Sequence, residues 1–278
     1  MHSTVGVHPT RSLAFLPEAE RSELEVAMAA STSADDLADL EASLLSRPHV
    51  KEALDAHAAQ LSAMVADGTS DGTVVAIGEC GLDYDRLQFC PKGVQRAGFE
   101  AQLSIARACA LPLFLHNRAT AGDFAALCMA HRTDFAHGGV VHSFDGGAAE
   151  LDALLALGLH IGLNGCSLKT ADNIAVAARV PLEHLHLETD APWCGIRRTH
   201  AGARYLRPIV SPESGQPYAE EKKERWREGV LVKDRCEPCH IQHVLQVVSA
   251  SHGGLSAEAR VAESAYSNSL RLFQLERA

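Results

Sequence analysis

Residues 74–118 read VVAIGECGLDYDRLQFCPKGVQRAGFEAQLSIARACALPLFLHNR, and this stretch decides the fold. It opens on a short apolar, β-branched run (74–78) and passes through an Ala- and Leu-rich segment of helical period (95–110). It closes on a second apolar run (113–115). Strand, helix, strand in that order is a parallel pair with a crossover helix. Each strand also ends in an ionisable residue, Glu79 after the first and His116 after the second.

The rest of the chain repeats the rhythm. Further apolar runs lie at 3–7, 139–142, 159–163 and 185–187. Helical spacing marks 17–28, 37–45, 49–65, 119–130, 148–157, 171–179, 238–251 and 256–275. The turn-rich DGTSDGT (67–73) reads as a loop, and 201–235, rich in Pro, Gly and charge, reads as an irregular excursion from one domain spanning 1–278. The expected class is α/β, of the barrel or doubly wound kind. No GxGxxG or GxxxxGK[ST] follows any strand, which argues against dinucleotide or Walker-type binding.

Composition bounds the chemistry. With 278 residues and 46% hydrophobic content the chain can bury a substantial core. A formal net charge of −10 argues against broad adhesion to nucleic acid or an anionic membrane, although bound cations and a local basic patch can still draw in a phosphate. The eight cysteines read as reduced thiols. The expected setting is therefore intracellular, cytoplasmic or nuclear, with no signal peptide and no membrane span.

Polar residues recur at one structural point. Glu79, His116, His142, the triplet Glu188-Thr189-Asp190, and His8 each follow an apolar run. In a parallel barrel these strand ends converge on one face, where active sites form. Glu79, His116, His142 and Asp190 make a mixed nitrogen and oxygen donor set suited to Zn²⁺, Mn²⁺ or Mg²⁺. Taken singly, a strand-end histidine is a satisfied polar residue and Glu79 a helix cap; four at equivalent points favour a metal site. Cys236-x-x-Cys239-His240 spells the c-type haem attachment pattern, but no second cysteine pair or export signal supports haem or a zinc ribbon. Lys222–Arg235 interleaves cations with Trp226, a pattern that fits base stacking or a solvated loop equally well. Cys80, Cys166 and Cys194 lack a paired base and read as packing residues.

Six segments carry a family resemblance: GVHPTR (6–11), AIGECGLDYDR (76–86), LPLFLHNR (111–118), GVVHSFDGG (139–147), IGLNGCSLKT (161–170) and LETDAPWCGIR (187–197). They resemble the signature segments of TatD-related deoxyribonucleases, particularly the eukaryotic branch, in which NGCSLKT and a segment like Glu237-Pro238-Cys239-His240-Ile241 recur. The resemblance implies a TIM-barrel metallohydrolase of the amidohydrolase superfamily that hydrolyses DNA phosphodiesters, as an exonuclease, with up to two divalent ions (Mg, Mn or Zn). It implies that Glu79 bridges the ions, that His116 and His142 bind one of them, and that Asp190 binds the other and helps position or deprotonate the attacking water. His8 then lies near the substrate phosphate, with Arg118, Asn164, Glu188 and Arg197 around the pocket. DNA, single-stranded or at its ends, is the implied partner.

The family's opening strand carries an Asp- or Asn-x-His-x-His segment that has no counterpart here. Six strand candidates stand where a closed barrel needs eight. The expectation is thus a barrel incomplete at its N-terminal side, weakened in activity. Two rival functions follow: a catalytically inactive binding or scaffold protein, and an amide or ester hydrolase with the same donor set.

Overall fold

The computed structural model describes residues 1–30 and 33–275. Packing divides the chain into two compact units, Met1–Val141 with residues from Leu272 onward, and His142–Arg271.

The first unit runs β1 (Ser3–Val5), a 3₁₀ turn (Pro9–Phe15), α1 (Glu18–Ala29), α2 (Ala34–Ser46), α3 (Pro48–Ser70), β2 (Val74–Asp83), α4 (Lys92–Cys109), β3 (Leu113–Arg118), α5 (Asp123–Ala130) and β4 (Gly139–Val141). All three strand pairings, β1 with β2, β2 with β3 and β3 with β4, are parallel. Helix starts follow local chemistry. The Ser33 hydroxyl accepts the Asp36 N–H at 3.2 Å to cap α2, and Pro48 opens α3, where its missing N–H costs nothing. Leu24, Leu44, Val50 and Val94 bury together beneath α1–α4. Phe99, Leu103 and Ala106 extend the same apolar face of α4.

The second unit holds α6 (Ala148–Ala156), β5 (His160–Leu163), α7 (Ala171–Ala177), β6 (Leu185–Leu187), β7 (Ala219–Glu221), β8 (Val230–Val232), α8 (Ile241–Ser251) and α9 (Glu258–Leu272). Strands β5 and β6 are parallel. A capping box between Thr170 and Asn173 starts α7. Asn268, buried on α9, donates to the carbonyls of Leu182 (2.7 Å) and Leu185 (2.8 Å) and so fixes the entry to β6.

Three local expectations change. β2 does not stop at Gly78 but continues to Asp83. Residues 67–70 are helical rather than loop, because Ser70 returns its hydroxyl to the Asp67 carbonyl at 2.7 Å and the chain reverses only at Gly72, φ +75°. The excursion 201–235 holds a parallel β7–β8 pair, whose three-residue strands are too short to show a period.

Candidate metal centre

In the first unit the site is built around β2. Its pairing register with β3 shifts between Gly78 and Cys80, so Glu79 is the extra residue of a bulge. A bulge bends the strand and re-aims its side chain. The strand can run on beside β3 only because Gly81 has φ +145° and no Cβ; one placed there would lie 1.9 Å from the His116 carbonyl oxygen.

Three sequence-predicted residues meet here. Glu79 Oε1 stands 2.8 Å from His116 Nδ1 and 3.4 Å from His8 Nε2. The His8 and His116 rings pack edge to face at 4.5 Å. A fourth residue, Asp83, was not foreseen as part of the site. Its Oδ2 lies 3.3 Å from the other ring nitrogen of His116, Nε2, and the carboxylate is almost wholly buried. Burial would push the Asp83 carboxyl up, but the charges of His116, Arg86 and Arg118 outweigh it and hold the group below its ordinary value. Donor atoms of His8, Asp83 and His116 all lie within 4.8 Å of one another. Two ligands of one cation, with bonds near 2.1 Å, stand about 3.0–3.4 Å apart. The donor set and its spacing therefore fit a divalent metal.

Two glutamines on α4 hold this arrangement, and no motif or period marks them in advance. Gln102 accepts the Val7 N–H (2.7 Å) and donates to the Val7 carbonyl (3.1 Å), which presents His8. Gln95 accepts the Asp83 N–H (2.7 Å) and donates to the Asp83 carbonyl (2.8 Å). Seven residues apart on a helix, they share one face. Both are buried, and their pairing with backbone removes the penalty of burying an amide. Arg118 ends β3, opposite Asp83 in the register.

In the second unit, His142 follows β4 and is buried, with Nδ1 3.5 Å from Glu188 Oε2. The Ser143 N–H donates to Glu188 Oε1. Gly162 makes room for this, since a Cβ there would come within 2.7 Å of Glu188 Oε1. Asn164 is fully buried; its amide donates to Ser143 Oγ (2.9 Å) and accepts the Cys166 N–H (2.8 Å), so it scaffolds the β5 end. Asp190, just past β6, is exposed and has φ +51°, a left-handed conformation that aspartate tolerates. Its Oδ2 accepts the Cys194 thiol at 3.1 Å. The hydrogen bond to Cys166, then burial, then Asp190 all push the Cys194 thiol up. Arg197 is exposed, seven residues beyond Asp190.

One His-x-His spacing does occur, His184-Leu185-His186. It lies at the start of β6, and Glu188 and Asp190 follow the strand's other end. His186 Nε2 pairs with His160 Nδ1 at 2.9 Å, and His186 Nδ1 with Ser269 Oγ at 2.9 Å. Burial lowers His186 to about 3 and His160 to about 4. The Cys236-x-x-Cys239-His240 segment is local scaffolding: Cys236 reaches the Thr189 carbonyl at 3.7 Å, and Glu237 caps the 3₁₀ turn Pro238–His240.

The family model described as "TatD related DNase" matches residues 1–274. A protein of Schizosaccharomyces pombe named "Deoxyribonuclease Tat-D" is 38% identical over 270 residues, covering 97% of this chain and 74% of that one. A Rahnella protein named "3'-5' ssDNA/RNA exonuclease TatD" is 42% identical over 138 residues, 49% of this chain and 52% of its own length. Among solved structures, an uncharacterized amidohydrolase from Saccharomyces cerevisiae superposes with a TM-score of 0.79 at 30% identity, covering 98% of this chain and 80% of that one.

Proposed function

This chain belongs to the TatD-related DNase family, and from that premise we propose that it is a divalent-metal-dependent nuclease trimming single-stranded DNA from an end. It is read as one TatD-like hydrolase domain over 1–278, the family match running to 274. Glu79, His116, His142 and Asp190 are the proposed ligands of Mg²⁺, Mn²⁺ or Zn²⁺. The observation that supports the reading is the cluster at the bulge of β2: the Glu79 carboxylate lies 2.8 Å from His116 Nδ1 and 3.4 Å from His8 Nε2, a convergence of oxygen and nitrogen donors.

A bound divalent ion supplies an acidified water at neutral pH and neutralises charge building on the phosphoryl oxygens. The protein's own groups do the rest. His116 and His142 each face a carboxylate from behind, Asp83 and Glu188, which orients the ring and raises its basicity as a ligand. Asp190 takes the proton of the attacking water. His8 Nε2, Arg118 and Arg197 receive the phosphate, the arginines through a planar fork of donors. Asn164 acts through Ser143.

The described residues contain no helix long and apolar enough to cross a membrane. All eight cysteines are free thiols, which supports a reducing compartment, cytoplasm or nucleus.

The deciding experiment is Glu79→Ala. Manganese binding by calorimetry and degradation of single-stranded DNA are both expected to fall to background, with the circular dichroism unchanged. DNA degradation at the wild-type rate by the variant sinks the metal-nuclease reading. Turnover of an aryl ester or amide but not of DNA by the wild-type protein would move the reaction to a carbonyl substrate.

A further inference from the structure

We propose that the cleft between the Pro9–Phe15 turn, α1 and the 87–89 loop is a nucleotide-binding subsite, holding bases of the single strand next to the scissile phosphate. The inference rests on the nuclease reading above for its substrate, and on the first unit alone for its geometry.

The cleft has a volume of about 730 Å³, within the roughly 300–1,000 Å³ typical of ligand-sized clefts. Leu87 and Met28 line it, and so does Phe89, an aromatic ring left 52% exposed. Two guanidiniums, Arg11 and Arg21, also line it, against one carboxylate, Glu25. On a chain with a net charge of −10, a wall with two cations and one anion is a local reversal of sign. Arg21 donates through Nη2 to the Leu16 carbonyl at 3.2 Å, while its Nε–H has no hydrogen-bond partner among the described residues. An aromatic face beside guanidinium donors is the combination that holds single-stranded nucleic acid, by base stacking and by phosphate contact.

Two chain segments lead from the proposed centre to this cleft. Thr10 lines it, and its Oγ1 stands 2.8 Å from Nδ1 of His8, whose other nitrogen faces Glu79. From Asp83 the chain reaches Leu87, Gln88 and Phe89 within six residues. A strand whose phosphate lies at His8 would thus find Arg11 and Phe89 next along its path. An apolar peptide would bury Phe89 equally well but would bring no anion to the two guanidiniums, which is the reason for choosing nucleic acid.

The test measures binding of a fluorescein-labelled oligothymidylate to the full chain by anisotropy, in chelator, so that cleavage plays no part. Phe89→Ala and Arg11→Ala are each expected to raise Kd on the order of tenfold, and Phe89→Tyr to restore it. Arg11→Ala should also reduce the salt slope by about one counterion. Hydrolysis of bis(p-nitrophenyl) phosphate with Mn²⁺, which reports the metal centre without the cleft, should be unchanged in all three variants. Equal affinity in Phe89→Ala and wild type overturns the subsite, as does wild type that binds no oligonucleotide. So does light scattering that shows a dimer dissociating in Phe89→Ala, since a second copy would then cover the cleft. Weakened binding in the variants of a wild-type protein that cannot hydrolyse the small diester would keep the subsite and remove the nuclease.

Discussion

Asp83 and Glu188 each stand behind a histidine proposed as a metal ligand, and neither contact can be seen along the chain. The carboxylate fixes which ring nitrogen is free for the metal and strengthens it as a donor. Asp83→Asn keeps the shape and one acceptor oxygen but removes the charge that faces His116 Nε2 across 3.3 Å. The expected result is manganese affinity weaker by roughly 10–100-fold, read by calorimetry, with Glu79 still in place. Unchanged affinity would mean that Asp83 serves packing alone. The residues proposed as ligands were legible from motifs, because their position at strand ends put their type and order into the sequence. Asp83 was in plain view within AIGECGLDYDR (76–86), yet only the side-chain distance separates it from Asp85, which is exposed.

Among the elements, β2 and α4 do most to place the first unit's chemistry. The bulge at Glu79 and the close approach at Gly81 belong to a strand expected to end five residues earlier. Gly81→Ala would drive a Cβ into the His116 carbonyl and force a residue with a side chain to φ +145°. A loss of roughly 3 kcal/mol or more in urea unfolding is expected. A loss below about 1 kcal/mol would show that β2 and β3 relax apart freely. Helix α4 presents Gln95 and Gln102 from a face its sequence marks as apolar. Gln102→Leu leaves the Val7 N–H and carbonyl unpaired and frees the loop carrying His8. Hydrolysis is expected to drop through KM more than through kcat, since His8 is proposed to bind phosphate rather than react. Steady-state kinetics on single-stranded DNA check this split.

For the molecule as a whole, stability should depend on pH through its buried histidines. His186 titrates near 3 in the folded protein and near 6.5 unfolded, so the folded state binds fewer protons between those values. Its contribution is fully present above about 6.5 and is lost as pH falls toward 3. The loss is on the order of 3 kcal/mol between pH 7 and 4. His160, lowered to about 4, acts in the same direction. His186→Asn, which keeps polar atoms without a titrating proton, should flatten the fall of Tm with acid; an unchanged slope assigns the acid sensitivity elsewhere. The same cluster explains why a His-x-His spacing need not mean a metal. His184 and His186 flank the entry to β6, with His160 against them.

Periodicity and strand-end chemistry, which are properties of local sequence, determined the α/β class and the six parallel strands, and singled out the residues proposed as metal ligands. They also placed all nine helices found among the described residues to within a few positions. Motif resemblance added the family, which the match over residues 1–274 bears out. Tertiary structure alone decided what faces what: the bulge at Glu79, the clamp by Gln95 and Gln102, Asp83 behind His116, and the cleft beside Phe89. These depend on atoms distant in sequence meeting at 3 Å or so, and a periodic pattern records only which side of an element is buried, not which partner lies across from it.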